Sequence, residues 1–206
     1  MKKLKILGIL LAVILPAVVL GIRIRHVNQG IVLPEIRESE IGERIALHDN
    51  YFLEEYEICE GYELRVDDAE LLPVEEYLEK NGLSDKETWE REHEMPLPDQ
   101  VYDLTLTFFN TNTEETECGI DLYNYVLCAT DYTIPFCDAL YAEVNSDKAG
   151  GSPMFSLRPD SEAEISVPYG IFFSENISYL DERAITGREL YYVVSLYPVQ
   201  NQIRIK

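Results

Sequence analysis

With 206 residues, 46% of them apolar and 27% charged, the chain is long enough for one medium domain with appendages and too short for two full ones. Its 17 Lys+Arg against 38 Asp+Glu give a net charge of −21; five of those bases and no acid fall in residues 1–26, so residues 27–206 carry −26. A surface of that sign repels a phosphate backbone and excludes nucleic acid as a partner.

Residues 1–26 open with Lys2, Lys3 and Lys5, and Ile6 to Ile22 is an apolar run of 17 residues. As a helix the run reaches roughly 26 Å, a little short of a ~30 Å hydrocarbon core, a gap that Lys5 and Arg23 can close by snorkelling. A retained signal-anchor and a cleaved secretory signal both fit. The length of the run and the lack of an Ala-x-Ala site favour the anchor. Three lysines before the span against Arg23 and Arg25 after it favour an inside N-terminus. Either reading carries residues 27–206 out of the cytoplasm: a single-pass membrane protein, or a secreted one if the signal is cut.

Residues 27–42 hold Gly30 and Pro34 and show no sustained period, so they read as a stalk. The domain is expected over 43–206. A first strand fits Glu43–Leu47. Tyr62, Leu64 and Val66 alternate with polar residues, and Leu71 and Leu72 continue that strand after a bulge or bend near Asp67 and Asp68. Pro73 and Gly82 then punctuate a helix whose Val74, Tyr77 and Leu78 share one face while Glu75, Glu76 and Glu79 face water. Ser84-Asp85-Lys86-Glu87 is a capping-box pattern before a helical turn at Trp89. The whole of about 73–100 is expected as an acidic insertion with short helices.

Val101–Asn110 is the strongest strand, with Leu104, Leu106 and Phe108 against Asp103, Thr105 and Thr107. Further strands are expected at Ile120–Ala129, Ala139–Asn145, Met154–Leu157, Ala163–Tyr169, Leu190–Leu196 and Ile203–Lys206. Ser146–Pro153 reads as a loop and Arg158–Ser161 as a turn. Seven to nine short strands with little helix predict a mainly β fold, an antiparallel sandwich. Its core is expected to include Leu64, Val66, Leu104, Leu106, Phe108, Val194 and Leu196.

The run Gly61-Tyr62-Glu63-Leu64-Arg65-Val66-Asp67-Asp68-Ala69-Glu70-Leu71, the insertion with Glu75-Glu76-Tyr77-Leu78, then Val101–Asn112 and Leu157–Ala163, stand in a recognisable order behind a membrane segment. The chain resembles uncharacterised membrane-anchored surface proteins of Gram-positive, mostly clostridial, bacteria that carry an immunoglobulin-like domain of unknown function. In outline they are similar to the immunoprotective extracellular antigen fold. The resemblance covers about residues 43–206. It implies an immunoglobulin-like sandwich and a surface location, and brings no catalytic residue with it.

Catalytic patterns are not found. His93-Glu94 begins like a zinc-protease helix, but no second histidine follows and Pro96 would break it, so His93 reads as a loop residue. No Gly-x-Ser-x-Gly elbow or phosphate-cradling glycine loop occurs. Cys59, Cys118, Cys128 and Cys137 are spaced too widely for a zinc knuckle. Outside the cytoplasm they can form disulfides in any of three connectivities, and four reduced thiols remain the alternative.

Acids concentrate early: residues 35–100 hold 22 against 6 bases, residues 101–206 hold 16 against 6. Their oxygens suit Ca2+, yet no EF-hand loop matches, and a solvated face is the simpler reading. No cofactor is expected. The function these features predict is a non-catalytic, extracytoplasmic interaction module tethered to the membrane. Its partner would be a basic protein or peptide, met by Glu54, Glu55, Glu57, Glu75, Glu76 and Glu79. A secreted hydrolase with a carboxylate pair, or a structural envelope component, are the alternatives.

Overall fold

The computed structural model describes residues 2–29, 33–173 and 187–206, without the side chains of residues 2–13 and 149. In chain order the elements are α1 (Lys2–Asn28), β1 (Glu35–Glu40), β2 (Arg44–Ala46), β3 (Tyr62–Pro73), α2 (Val74–Lys80), α3 (Lys86–His93), β4 (Gln100–Asn110), β5 (Ile120–Asp121), β6 (Val126–Cys128), β7 (Thr133–Ile134), α4 (Asp138–Val144), β8 (Met154–Phe155), β9 (Ser161–Ile171), β10 (Tyr191–Val193) and β11 (Val199–Arg204). Two units divide it, residues 1–33 and 34–206. In the first, α1 runs two residues beyond the expected segment and holds Pro16, and its described side chains are exposed. Among the described residues no helix is long and apolar enough to cross a membrane.

The second unit is a sandwich of two main sheets. One has the order β2-β3-β4-β9 and the other β1-β11-β10-β6-β7, with β5-β8 as a small third pair. The long strands follow their sequences: alternation sends Leu64, Val66, Leu104, Leu106, Phe108, Ile165 and Val167 to one face. There they meet Leu127, Ile134, Tyr192 and Ile203 from the other sheet in a single core. The predicted irregularity is a register shift between Val66 and Asp68, and Asp67 there binds Arg65 and accepts from Thr107 Oγ1 at 2.5 Å. Val194 is buried as expected, whereas Leu196 is only half-buried.

The expected insertion forms a second core. α2 buries Val74, Tyr77 and Leu78 against Trp89 of α3, Leu97, Val101 of β4 and Leu140 of α4. That packing covers β4 at Val101, and α2 reaches Asp103 through Lys80; further along the strand Asp67 meets Thr107 and the Arg44 and Arg65 guanidinium groups lie over Phe109. Asp103 is served by Lys80 Nζ at 3.0 Å and by Ser166 Oγ at 2.5 Å.

Several sequence expectations need correction. The stalk is shorter than residues 27–42: β1 lies inside it and belongs to the domain, pairing parallel with β11 from Glu35↔Val199 to Glu40↔Arg204. That pair also departs from an all-antiparallel sandwich. Residues 30–32 of the expected stalk lie outside the described residues. Ala139–Asn145 is helix, not strand, because Leu140, Tyr141 and Val144 fall on one helical face and pack inward. Ile120–Ala129 is broken by a 3-10 turn at Leu122–Asn124, capped by Asp121. The last strand begins at Val199 rather than Ile203. His93 closes α3 instead of sitting in a loop, and the helix stops at Glu94, whose φ is +55°. Asp85 is the residue that caps α3, accepting from Thr88 N at 3.1 Å.

Candidate functional site

The site grows from the irregular segment between β2 and β3. Tyr51 is pinned to the far end of the chain, its N–H donating to Tyr197 O at 2.7 Å, and the two rings lie 6.0 Å apart. The next residues are shaped by one side chain. Glu57 accepts from the backbone N–H of Phe52 at 2.7 Å, Leu53 at 3.0 Å and Glu54 at 3.2 Å. Three donors converging on one carboxylate hold residues 52–57 in a tight turn and push Leu53 and Tyr56 outward, 65% and 84% exposed.

The facing wall comes from β5 and β8, paired Ile120↔Phe155 and Asp121↔Met154. A Cβ on Gly119 would lie 2.7 Å from Ser156 Oγ and 2.9 Å from the Phe155 carbonyl oxygen, so the approach of these strands requires glycine. Asp121 accepts from Tyr123 N at 3.0 Å and so starts the turn that lowers Tyr125 to the floor. Tyr125 stacks near Phe108 and meets Tyr192 edge-on. Burial raises its hydroxyl pKa well above the usual range, and the carboxylates of Asp121 and Glu57 push the same way.

Between the walls lies a cavity of about 480 Å3, in the range that small ligands and side chains occupy. Tyr51, Phe52, Tyr56, Tyr125 and Phe155 give it aromatic surface, and Glu57, Glu117 and Asp121 give it negative charge. No lysine, arginine or histidine is among the described residues lining it. Rings and carboxylates around one space suit a cation carried on an apolar stem, such as a Lys or Arg side chain. Among the described residues no group of three or more His, Cys, Asp or Glu is arranged to hold a metal ion.

The acids singled out from sequence fall in two places. Glu54 and Glu55 are exposed beside the cleft, and Glu57 lines it while spending its oxygens on the turn. Glu75, Glu76 and Glu79 are exposed on α2, beyond the opposite end of β3, which its length places roughly 35 Å away. The structure does not bring the two groups together. Glu117, Asp121 and the aromatic walls escaped the sequence reading, because residues far apart in the chain meet only after folding. Glu54-x-x-Glu57, at capping-box spacing, was the one local signal of the turn.

All four cysteines are thiols in the structure. Cys59 lines the cleft. Cys128 lies on β6 opposite Tyr191, and Cys137 precedes α4 beside Gly170, where burial pushes its thiol up to about 12.

Comparison with known proteins supplies a family and no activity. Residues 36–201 match the family model described as a domain of unknown function (DUF5028). No curated protein matches the chain. Among solved structures it is similar to an uncharacterized beta-sandwich protein from Clostridium difficile 630, with 9% identity and a TM-score of 0.37 over 85% of this chain and 98% of that one.

Proposed function

Since the chain belongs to the DUF5028 family, we propose its role from its own surface: a non-catalytic interaction module outside the cytoplasm that takes basic segments of a protein or peptide partner. The observation that carries this is the cleft, where exposed Tyr56 and Met154 rim a space lined by Glu57, Glu117 and Asp121. Apolar contact at a rim with uncompensated charge inside favours a cationic, amphipathic side chain over a neutral or anionic one. Two of the three carboxylates accept backbone N–H groups, which fits fixed charge better than proton transfer. The tether belongs to the same proposal and is supported by Lys2, Lys3 and Lys5 ahead of the Ile6–Ile22 run. An immunoglobulin-like kinship of the sandwich is part of it too, supported by the four-stranded sheet facing a second sheet across one core.

The test is titration of isotope-labelled full-length protein, held in zwitterionic micelles, with a Lys-rich peptide. Amide signals of Tyr56, Asp121 and Tyr125 should move, less at high salt, and less again with Glu117→Gln and Asp121→Asn together. An equal response to a Glu-rich peptide of the same length, or shifts centred on α2, would overturn the reading. Full-length protein should also stay with membranes through carbonate washing; release of the whole pool would remove the tether.

A further inference from the structure

The floor of the cleft holds a second chemistry. Cys59 is buried, 3% exposed, and its Sγ donates to the carbonyl of Gly119 at 3.0 Å. Cys118, the residue before that carbonyl, is half-buried; its Sγ lies 3.4 Å from Thr116 Oγ1 and borders an outer groove lined by Glu60 and Thr116. Cys118 is joined directly to Gly119, whose carbonyl the Cys59 thiol touches, and its thiol is among the groups that raise the Cys59 pKa.

This proximity is fixed by the frame. β3 and β4 pair antiparallel from Tyr62↔Asn110, so the chain enters one and leaves the other at the same end. There Thr111 N donates to Gly61 O at 2.8 Å and Asn112 Nδ2 to Glu60 O at 2.9 Å, and the chain then returns through Thr116 to set Cys118 beside Cys59. Cys128 and Cys137 sit on other elements, with other neighbours.

We propose that Cys59 and Cys118 are a redox-active pair, oxidised by small disulfides of the glutathione class to a cross-link that clamps the two walls of the cleft. The more open Cys118 thiolate attacks the small disulfide, forming a mixed disulfide and releasing one thiolate. Cys59 then attacks the Cys118 sulfur and expels the second. Two electrons pass to the small disulfide, which leaves as two thiols carrying the two protons, and one S–S bond closes the chain between 59 and 118. Burial, with Cys118 alongside, holds the Cys59 thiol protonated far above its ordinary range, so the second step waits on a local opening and is the slow one. The cross-link joins the 51–59 wall to the 117–121 wall. The pair stands on its own geometry whether or not a basic peptide binds.

Full-length protein treated with oxidised glutathione, then alkylated and digested without reduction, tests this. The expected product is a Cys59–Cys118 peptide pair two hydrogens lighter than its reduced parts, with Cys128 and Cys137 alkylated. Amide exchange in residues 51–59 and 117–121 should slow in the oxidised protein. Cys59→Ser should stop at a glutathione adduct on Cys118. Recovery of Cys59 and Cys118 as alkylated thiols, while the same oxidant cross-links the urea-unfolded chain, would overturn the proposal. So would a cross-link joining any other pair, and the wild-type peptide map decides even if the variant fails to fold.

Discussion

The indole N–H of Trp89 on α3 donates to the carboxylate of Glu143 on α4 at 2.8 Å, and the other oxygen of that carboxylate meets His93 Nε2 at 2.9 Å. The imidazole lies flat on the indole, ring centroids 3.9 Å apart, with Nδ1 2.9 Å from the Trp89 carbonyl. One carboxylate thus ties α3 to α4 at the second core. Removing it in Glu143→Ala leaves a buried indole N–H without its acceptor and should cost about 1–3 kcal/mol. Trp89 is the single tryptophan, so urea unfolding followed by its fluorescence reads the loss directly.

Glu57 gives a more local prediction. In Glu57→Ala the amides of Phe52, Leu53 and Glu54 lose their shared acceptor. Their exchange with solvent should accelerate while that of β4 stays unchanged. By comparison with a lost helix cap, the cost should be about 0.5–2 kcal/mol.

At Gly119 the test is steric. Gly119→Ala drives a methyl group into the Phe155 carbonyl, which is backbone and cannot swing away. Destabilisation of about 1–3 kcal/mol is expected, with shifts in the signals of Ile120 and Phe155. A neutral substitution would mean that the β5–β8 pair is looser than this packing.

Alkaline pH should unfold the domain progressively. Burial raises the hydroxyls of Tyr125, Tyr169 and Tyr192 above the ordinary tyrosine value. A raised folded-state pKa contributes stability that is complete below the unfolded value, about 10, and is lost as pH climbs from there toward the folded value. Lys80 follows the same sign: burial opposes its charge, but the hydrogen bonds it donates to Glu70 and Asp103 prevail and raise it. Stability from urea titrations should therefore be level in tyrosine terms up to about pH 9 and fall above pH 10. The part of the tyrosinate absorbance that belongs to these three buried rings should appear in step with unfolding rather than before it.

The strands that bury one face were legible because alternation records burial: Leu64 and Val66 in β3, and Leu104, Leu106 and Phe108 in β4, share one buried face. β1 was not legible, since its residues lie exposed or half-exposed and Ile36 itself is 60% open, leaving no apolar period to read. α4 was mistaken for a strand because Ala139-Leu140-Tyr141-Ala142 is a short apolar run, for which the two periods barely differ. For the cleft, the acids Glu54, Glu55 and Glu57 pointed to the right neighbourhood. Tyr125 and Phe155, which complete it, lie some seventy to a hundred residues away, and no local pattern joins them.

The parallel register of β1 on β11 carries a mechanical consequence. The chain enters the domain at Pro34 and runs at once into six consecutive paired positions beside the last strand. Tension drawn through residue 34 along the strand axis therefore shears all six together instead of peeling them apart in turn. The load passes into β11 and, through its antiparallel bonds, into β10. The entry point is built as a lap joint, while β2, with three residues paired only to β3, lies in the other sheet and off the line of pull.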